Sequence, residues 1–297
     1  MTYLENICKD LEKNDKKVQL GLKSSSDEKQ VESRLSHHPD VYEFYTSEKD
    51  FTTDGLNRLK EAILEVKMET KQIILHHPMT YQKEFLELVV PQKLFPETYY
   101  FLEKSTNNLL QIAFDLDTQV LIHGSYELKN KKMFDFYGNW EKANNHLFNE
   151  LQRYSNLGKE RIMFENSISP LFYFGDSNYD HQIFDANIRL AFDVSHSFIK
   201  FKGNNNILLE SLRRLKDHIV HYHLVDSMGE IHDSLPLGQG KIDWLSVYSL
   251  LNTKATSIYE IDLVDMKNPL EQLQSHQYIL DLLYNFNVKT SDVKSSC

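Results

Sequence analysis

The chain alternates between two hydrophobic periods. Short runs rich in β-branched and aromatic residues recur at eight places: VQLGL (18–22), VYEFY (41–45), QIILH (72–76), QVLIH (119–123), RIMFE (161–165), IRLAFD (188–193), IVHYHL (219–224) and SIYEID (257–262). Between them the period lengthens to that of a helix. TTDGLNRLKEAILEVK opens on Thr53 or Asp54 as an N-cap and aligns Leu56, Leu59, Ile63 and Val66 on one stripe. WEKANNHLFNELQRY, NILLESLRRLKD, DWLSVYSLL and PLEQLQSHQYILDLLYNF carry the same pattern. Strands that alternate with helices pair in parallel through right-handed crossovers, and eight such units close into a barrel. The fold expected is a (β/α)8 TIM barrel forming a single domain over 1–297, with an open doubly wound sheet as the alternative. The ends, including the tail SDVKSSC, are expected to fray. Segment 78–118 exceeds what one crossover helix needs, so it should hold two helices, or a loop and a helix, covering the barrel mouth.

Composition fits this picture. A barrel needs about 250 residues, and the chain has 297, of which 41% are hydrophobic. No apolar run approaches the ~18 residues of a membrane span, and the charged start MTYLENICKDLEKNDKK lacks the apolar stretch of a signal peptide. A cytoplasmic location is therefore expected. The two cysteines, Cys8 and Cys297, form no CxxC pair, which leaves His, Asp and Glu as the side chains able to hold a metal. A formal net charge of −10 disfavours a nucleic-acid partner, and the basic runs 13–17 and 129–132 read as solvated surface.

Chemistry in such a barrel gathers where the strands end. Strand three ends in His76 and His77, strand four in His123, strand five in Glu165 and strand six in Asp193, with His196 just beyond. Strand seven carries His221 and His223, and strand eight Glu260 and Asp262. Alternate residues share a face, so His221 and His223 point the same way, with His223 nearer the rim and His221 one layer deeper. Glu260 and Asp262 are related likewise, Glu260 being the preferred ligand and Asp262 the reserve. So many carboxylates and imidazoles at one rim would each cost several kcal/mol without a compensating charge. A divalent cation supplies it, and mixed N/O donors suit zinc or manganese before calcium.

These residues resemble the xylose isomerase-like TIM-barrel superfamily, which holds sugar isomerases and epimerases and the endonuclease IV group (AP endonuclease family 2). The resemblance rests on IILHHP, VLIHGSYE, IMFENS, LAFDVSH, VHYHLVD, LPLGQGKIDW and YEID, in the family's order over residues 72–262. It implies a metal held by Glu165, Asp193, His223 and Glu260. In the endonuclease IV branch it further implies a second ion held by His77 and His123 and bridged through Glu165. A third would be held by His196 with Glu230 and His232, so that one to three ions are implied in all. Glu230 stands where that branch has Asp, and two extra residues separate His232 from Gly238, so that alignment without the insertion puts Ser234 at the His position. LGLKSSSDEKQ after the first strand lacks that branch's glycine-rich segment.

Two enzymatic functions follow from the resemblance. The first is a metal-dependent sugar or sugar-phosphate isomerase or epimerase, in which Glu165 and Glu260 transfer the proton through an enediolate, His196 holds a substrate oxygen, and His232 or Asp233 lines the pocket. The alternative is a multinuclear zinc phosphodiesterase acting on abasic-site DNA or a small phosphodiester, favoured by His77 and His123. The acidic balance places the isomerase first. A barrel that only binds a ligand is the third possibility, and the ligand set is too complete to favour it.

Overall fold

The computed structural model describes Leu11 and residues 17–126 and 131–295. Cys8, Cys297, residues 13–16 and 129–130 of the basic runs, and the last two residues of the tail lie outside that range. Eight parallel strands form one sheet: β1 (Gly21–Ser24), β2 (Val41–Tyr45), β3 (Gln72–His76), β6 (Gln119–His123), β7 (Ile162–Glu165), β8 (Leu190–Asp193), β9 (Ile219–Leu224) and β10 (Thr256–Tyr259), neighbours in that order. A separate two-stranded ribbon, β4 (Thr80–Tyr81) and β5 (Glu84–Phe85), follows β3. The helices are α1 (Glu28–Leu35), α2 (Thr53–Val66), α3 (Pro96–Leu116), α4 (Lys131–Tyr137), α5 (Trp140–Gly158), α6 (Ser177–Asp185), α7 (Val194–Lys200), α8 (Asn205–Leu215), α9 (Trp244–Leu250) and α10 (Leu270–Ser295).

The sheet curls until its ends nearly meet. A Cβ on Gly21 would lie 1.9 Å from the carbonyl oxygen of Ser257. Only a residue without a side chain lets β1 come this close to β10, and the open-sheet alternative is thereby excluded. The chain is a (β/α)8 barrel.

Strand periodicity sorts the core into two layers. Tyr42, Phe44, Ile73, Leu75, Val120, Ile122, Phe164, Phe192 and Tyr222 point outward into the large apolar layer under the helices. Val41, Ile74, Leu121, Met163, Ala191 and Ile258 point inward and form a small separate cluster inside the barrel. The helices cover the outer layer with one apolar stripe each. On α2, Leu59, Ile63 and Val66 are fully buried, each such burial stabilising by roughly 1.5–3 kcal/mol. Thr52 is the α2 cap, its hydroxyl accepting from Gly55 N at 3.0 Å, one position before the predicted start. Asn139, Asp176 and Asn204 cap α5, α6 and α8 in the same way.

Most differences from the sequence expectation lie at element ends. The first strand falls at Gly21–Ser24, because pairing begins at Gly21 against Val41, so the apolar run 18–22 is mostly its approach. The last strand stops at Tyr259, which leaves Glu260 just beyond it. Segment 78–118 holds the ribbon and one long helix. At the C-terminal end, α10 extends to Ser295.

Candidate metal centre

One residue pair further along each strand from the inner apolar cluster, the side chains become ionisable. Val41 is followed two positions later by Glu43, Ile74 by His76, Leu121 by His123, Met163 by Glu165, Ala191 by Asp193 and Ile258 by Glu260. The remaining strands contribute Lys23, two beyond Gly21, and His223, two beyond His221. The pleat therefore brings eight ionisable side chains, one per strand, to one level of the barrel. Apart from Lys23 and Glu260, whose side chains are slightly and partly exposed, all are buried.

Two clusters meet at Glu165. In the first, Glu165, Asp193, His223 and Glu260 offer ligand atoms within 4.8 Å of one another. His223 Nδ1 lies 2.8 Å from Glu165 Oε1 and 2.5 Å from Glu260 Oε2. In the second, His76, His123 and Glu165 meet the same limit. Glu165 Oε2 is 3.1 Å from His123 Nε2 and 3.6 Å from His76 Nε2. One oxygen of Glu165 thus faces each cluster.

The donor set fits a divalent cation. Asp193 Oδ1 is occupied, accepting from Ser195 Oγ at 2.8 Å and His196 N at 2.7 Å. Asp193 Oδ2 and Glu165 Oε2 are buried and accept no hydrogen bond. Two orphaned carboxylate oxygens inside a protein are costly unless a positive charge faces them. Imidazole and carboxylate together suit zinc or manganese.

Four carboxylates and few cations make the centre electrostatically tense. Burial opposes the charged form of Glu43, but His223 and Lys23 hold it well below the ordinary range; Glu260 is held down by the same two groups. Burial raises Glu165, which His223 only partly offsets. Burial would lower His223, yet Glu165, Glu260 and Glu43 drive it well above its ordinary value. His123 is pushed well below by burial and by the neighbouring His76 and His196.

His76, rather than the predicted His77, reaches the second cluster. Successive side chains on a strand point to opposite faces, so the neighbours separate. The His77 ring faces outward, with Nε2 2.7 Å from Ser105 Oγ on α3 and Nδ1 3.1 Å from the Pro78 carbonyl. Burial, then the nearby His76, push its pKa down to about 3. His221 lies one layer below His223, between Thr256 Oγ1 at 2.6 Å and Glu43 Oε2 at 3.1 Å, and burial pushes it down to about 4.

The loop after β9 is organised by Asp226. It pairs with Leu235 across the loop, and its carboxylate accepts from Ser227 N at 2.8 Å and Gly238 N at 2.8 Å. A Cβ on Gly240 would sit 2.2 Å from Asp226 Oδ1, which explains the second glycine of LGQG. Within this frame the His232 ring packs against His196, centroids 4.9 Å apart and the planes tilted by 31°. His196 is oriented by Nδ1, which donates to the Asn166 carbonyl at 2.8 Å. Glu230 is exposed, and among the described residues no cluster of three metal-capable side chains includes Glu230, His196 or His232. Asp233 accepts from Met228 N at 2.9 Å within the loop.

Above the clusters lies a chamber of about 260 Å³ lined by His123, His196, His232 and Glu260, with Phe85 and Tyr126 as apolar wall. An adjoining lobe of about 200 Å³ shares Glu260 and His232 and adds Lys23, Tyr45, Ser234 and Asp262. Larger clefts of about 520 and 700 Å³ lie elsewhere and touch none of the eight ionisable ring residues. Lys23 and Glu43 escaped the sequence reading. Lys23 lies beyond the run that marked the first strand, and Glu43 is flanked by aromatics that hid its parity. The signal was present as an apolar or small residue followed two places later by an ionisable one, repeated in every strand but β9, where His221 precedes His223.

No family model matches the chain. An uncharacterized protein of Methanocaldococcus jannaschii, MJ1614, is 27% identical over 172 residues, which is 52% of this chain and 62% of that protein's length. Among solved structures, a D-tagatose 3-epimerase-like protein superposes with a TM-score of 0.67 at 18% identity, over 92% of this chain and 99% of that one. D-psicose 3-epimerase from Clostridium cellulolyticum H10 gives 0.61 at 15%, over 89% and 97%. A xylose isomerase-like TIM barrel protein from Mycobacterium smegmatis gives 0.52 at 9%, over 87% of each chain. The chain has the fold of the xylose isomerase-like TIM barrels.

Proposed function

We propose that the protein is a metal-dependent isomerase or epimerase of a small, sugar-like α-hydroxycarbonyl compound. One observation carries this reading. The four-residue cluster Glu165–Asp193–His223–Glu260 sits beneath a chamber of about 260 Å³ that continues into the lobe of about 200 Å³, together within the usual 300–1,000 Å³ of small-molecule sites. The loop 226–240 lines that chamber with His232 instead of completing a further cluster with Glu230. The neighbouring structures named as epimerases have this fold, and by that likeness an enzyme is the expected kind of protein.

Glu165, Asp193, His223 and Glu260 would hold the ion. When bound, a divalent cation polarises a substrate carbonyl and stabilises the negative charge that develops on its oxygen. Glu260 lines both lobes of the chamber and takes the proton from the carbon beside the carbonyl, the electron pair passing into the enediolate. Glu165, which shares His223 Nδ1 with Glu260, returns a proton through its oxygen that accepts no hydrogen bond. His196 keeps its Nδ1 proton on the Asn166 carbonyl, which leaves Nε2 to receive a substrate hydroxyl. Phe85 and Tyr126 form the apolar wall of the chamber.

A second reading, hydrolysis of a small phosphodiester, is favoured by the His76–His123–Glu165 cluster, which an isomerase does not require. The test is reconstitution with manganese or zinc in D2O with a panel of ketoses and aldoses. Deuterium entering at the carbon beside the carbonyl supports the isomerase. No exchange, combined with hydrolysis of bis(p-nitrophenyl) phosphate and two metals per chain, replaces it with the phosphodiesterase.

A further inference from the structure

Beside both clusters, in the same ring, lies Glu43, a fully buried carboxylate on β2 that nothing above uses in the chemistry. Its surroundings are unusual. Oε2 is 2.9 Å from His223 Nε2 and 3.1 Å from His221 Nε2. Oε1 is 2.9 Å from His76 Nδ1 and 3.0 Å from Lys23 Nζ. A carboxylate has about four acceptor sites, and all four face donors. Glu43 therefore has no lone pair left for an ion, although it lies close enough to His76 and His223 to be counted with them.

We infer that Glu43 is the positioning residue for both clusters, fixing the proton of His223 and of His76 on the nitrogen that faces away from the metal. With a cation bound on the side of the opposite nitrogen, each ligand imidazole is neutral and carries one N–H, and a carboxylate has no proton to give. The nitrogen facing Glu43 is therefore the donor, and the opposite nitrogen keeps its lone pair. For His223 that opposite atom is Nδ1, which faces Glu165 and Glu260. For His76 it is Nε2, which faces Glu165 Oε2. Lys23 also lies 3.0 Å from His76 Nδ1. Its protons go instead to Glu43 and Glu260, because an ammonium is attracted to a carboxylate's full negative charge, which a neutral ring nitrogen lacks. A lone pair on Nδ1 would also point at the Glu43 oxygen. Carboxylate–histidine–metal relays of this kind tune ligand orientation and basicity. The departure is that a single carboxylate here serves one histidine from each cluster, one through each oxygen.

This inference rests on the metal-centre part of the proposed function and holds for either reaction. The test is titration of the metal-free full-length protein with Zn²⁺ or Mn²⁺ by calorimetry, for wild type, Glu43→Ala and Glu43→Gln, with the thermal midpoint of each metal-free protein measured alongside. Glu43→Ala is expected to weaken binding at both clusters by roughly 10–100-fold each. Glu43→Gln keeps the shape but has one accepting oxygen and one NH2 group, so it should spare one cluster and weaken the other. That split is what a merely structural role would not produce. Variants that lose thermal stability yet bind both ions within twofold of wild type overturn the inference and leave the metal centre standing. Wild-type protein that binds neither ion overturns the metal centre, and the inference with it.

Discussion

Two adjacent rings inside the barrel differ by a single pleat. The lower ring is Val41, Ile74, Leu121, Met163, Ala191 and Ile258, buried and packed together. The upper ring, two residues on and roughly 7 Å along each strand, holds Glu43, His76, His123, Glu165, Asp193 and Glu260. The backbone geometry is the same in both. What changes is which term dominates: apolar burial below, and uncompensated charge above. Stability is built in the first ring and made available for chemistry in the second, so substitutions in the two should have opposite signatures.

The largest effect is expected at Glu165, the residue common to both clusters. Glu165→Ala should lower kcat/KM by about 10²–10⁴-fold, the range of a positioned acid or base. The melting temperature of the metal-free protein should hold or rise, because a buried carboxylate with an unsatisfied oxygen is removed. An activity within tenfold of wild type would mean that the upper ring is not where the reaction occurs.

Leu121 sits two residues before His123 and is fully buried. Leu121→Ala should cost about 2–5 kcal/mol in denaturant unfolding, while the folded fraction keeps kcat within tenfold. A loss of turnover without a loss of stability would erase the division between the rings.

The rings also explain what the sequence made legible. The four-residue cluster was readable because Glu165, Asp193, His223 and Glu260 each close an otherwise apolar run. The eight-strand barrel was readable because each run is followed by a helical stripe. His76 was lost to His77 because two adjacent histidines end the same strand, and only the pleat decides which turns inward. Placing Ile74 in the inner ring settles that choice, but a sequence does not show which parity faces inside when a parallel strand is apolar on both faces. Glu43 was missed for the same reason, and Lys23 because the apolar run ends before it, although β1 continues to Ser24. The loop 226–240 was harder still, since whether His232 or Ser234 turns toward His196 depends on the bridge between Asp226 and Leu235.

The His76–His77 pair gives a smaller and sharper contrast. His76→Ala should reduce bound zinc by elemental analysis or weaken its second binding step, because Nε2 of His76 faces Glu165 Oε2. His77→Ala should leave metal content unchanged and cost stability, since it removes a buried ring together with its hydrogen bond to Ser105 Oγ. Equal metal loss in both variants would contradict the parity assignment.

The smallest effect separates an outward from an inward histidine by the sign of its pH dependence in the metal-free protein. His77 has a folded pKa of about 3, depressed chiefly by burial, against about 6.5 in an unfolded chain. Below pH 6.5 the unfolded chain takes up a proton that the folded one refuses, so the contribution of His77 is complete above 6.5 and is lost as pH falls toward 3. His223 behaves oppositely. Its folded pKa lies well above the ordinary value because Glu165, Glu260 and Glu43 outweigh burial, so its contribution is complete below 6.5 and is lost as pH rises through the folded value. Urea unfolding of wild type, His77→Gln and His223→Gln at pH 7 and pH 5 checks both signs. In His77→Gln the stability lost on going from pH 7 to pH 5 should shrink, by at most about 2 kcal/mol, since 1.5 pH units at about 1.36 kcal/mol each set the ceiling. In His223→Gln that loss should grow, because the variant lacks the group whose protonation favours the fold at pH 5. Two variants that shift in the same direction would show that the strand's pleat does not divide these histidines into a packed one and a charged one.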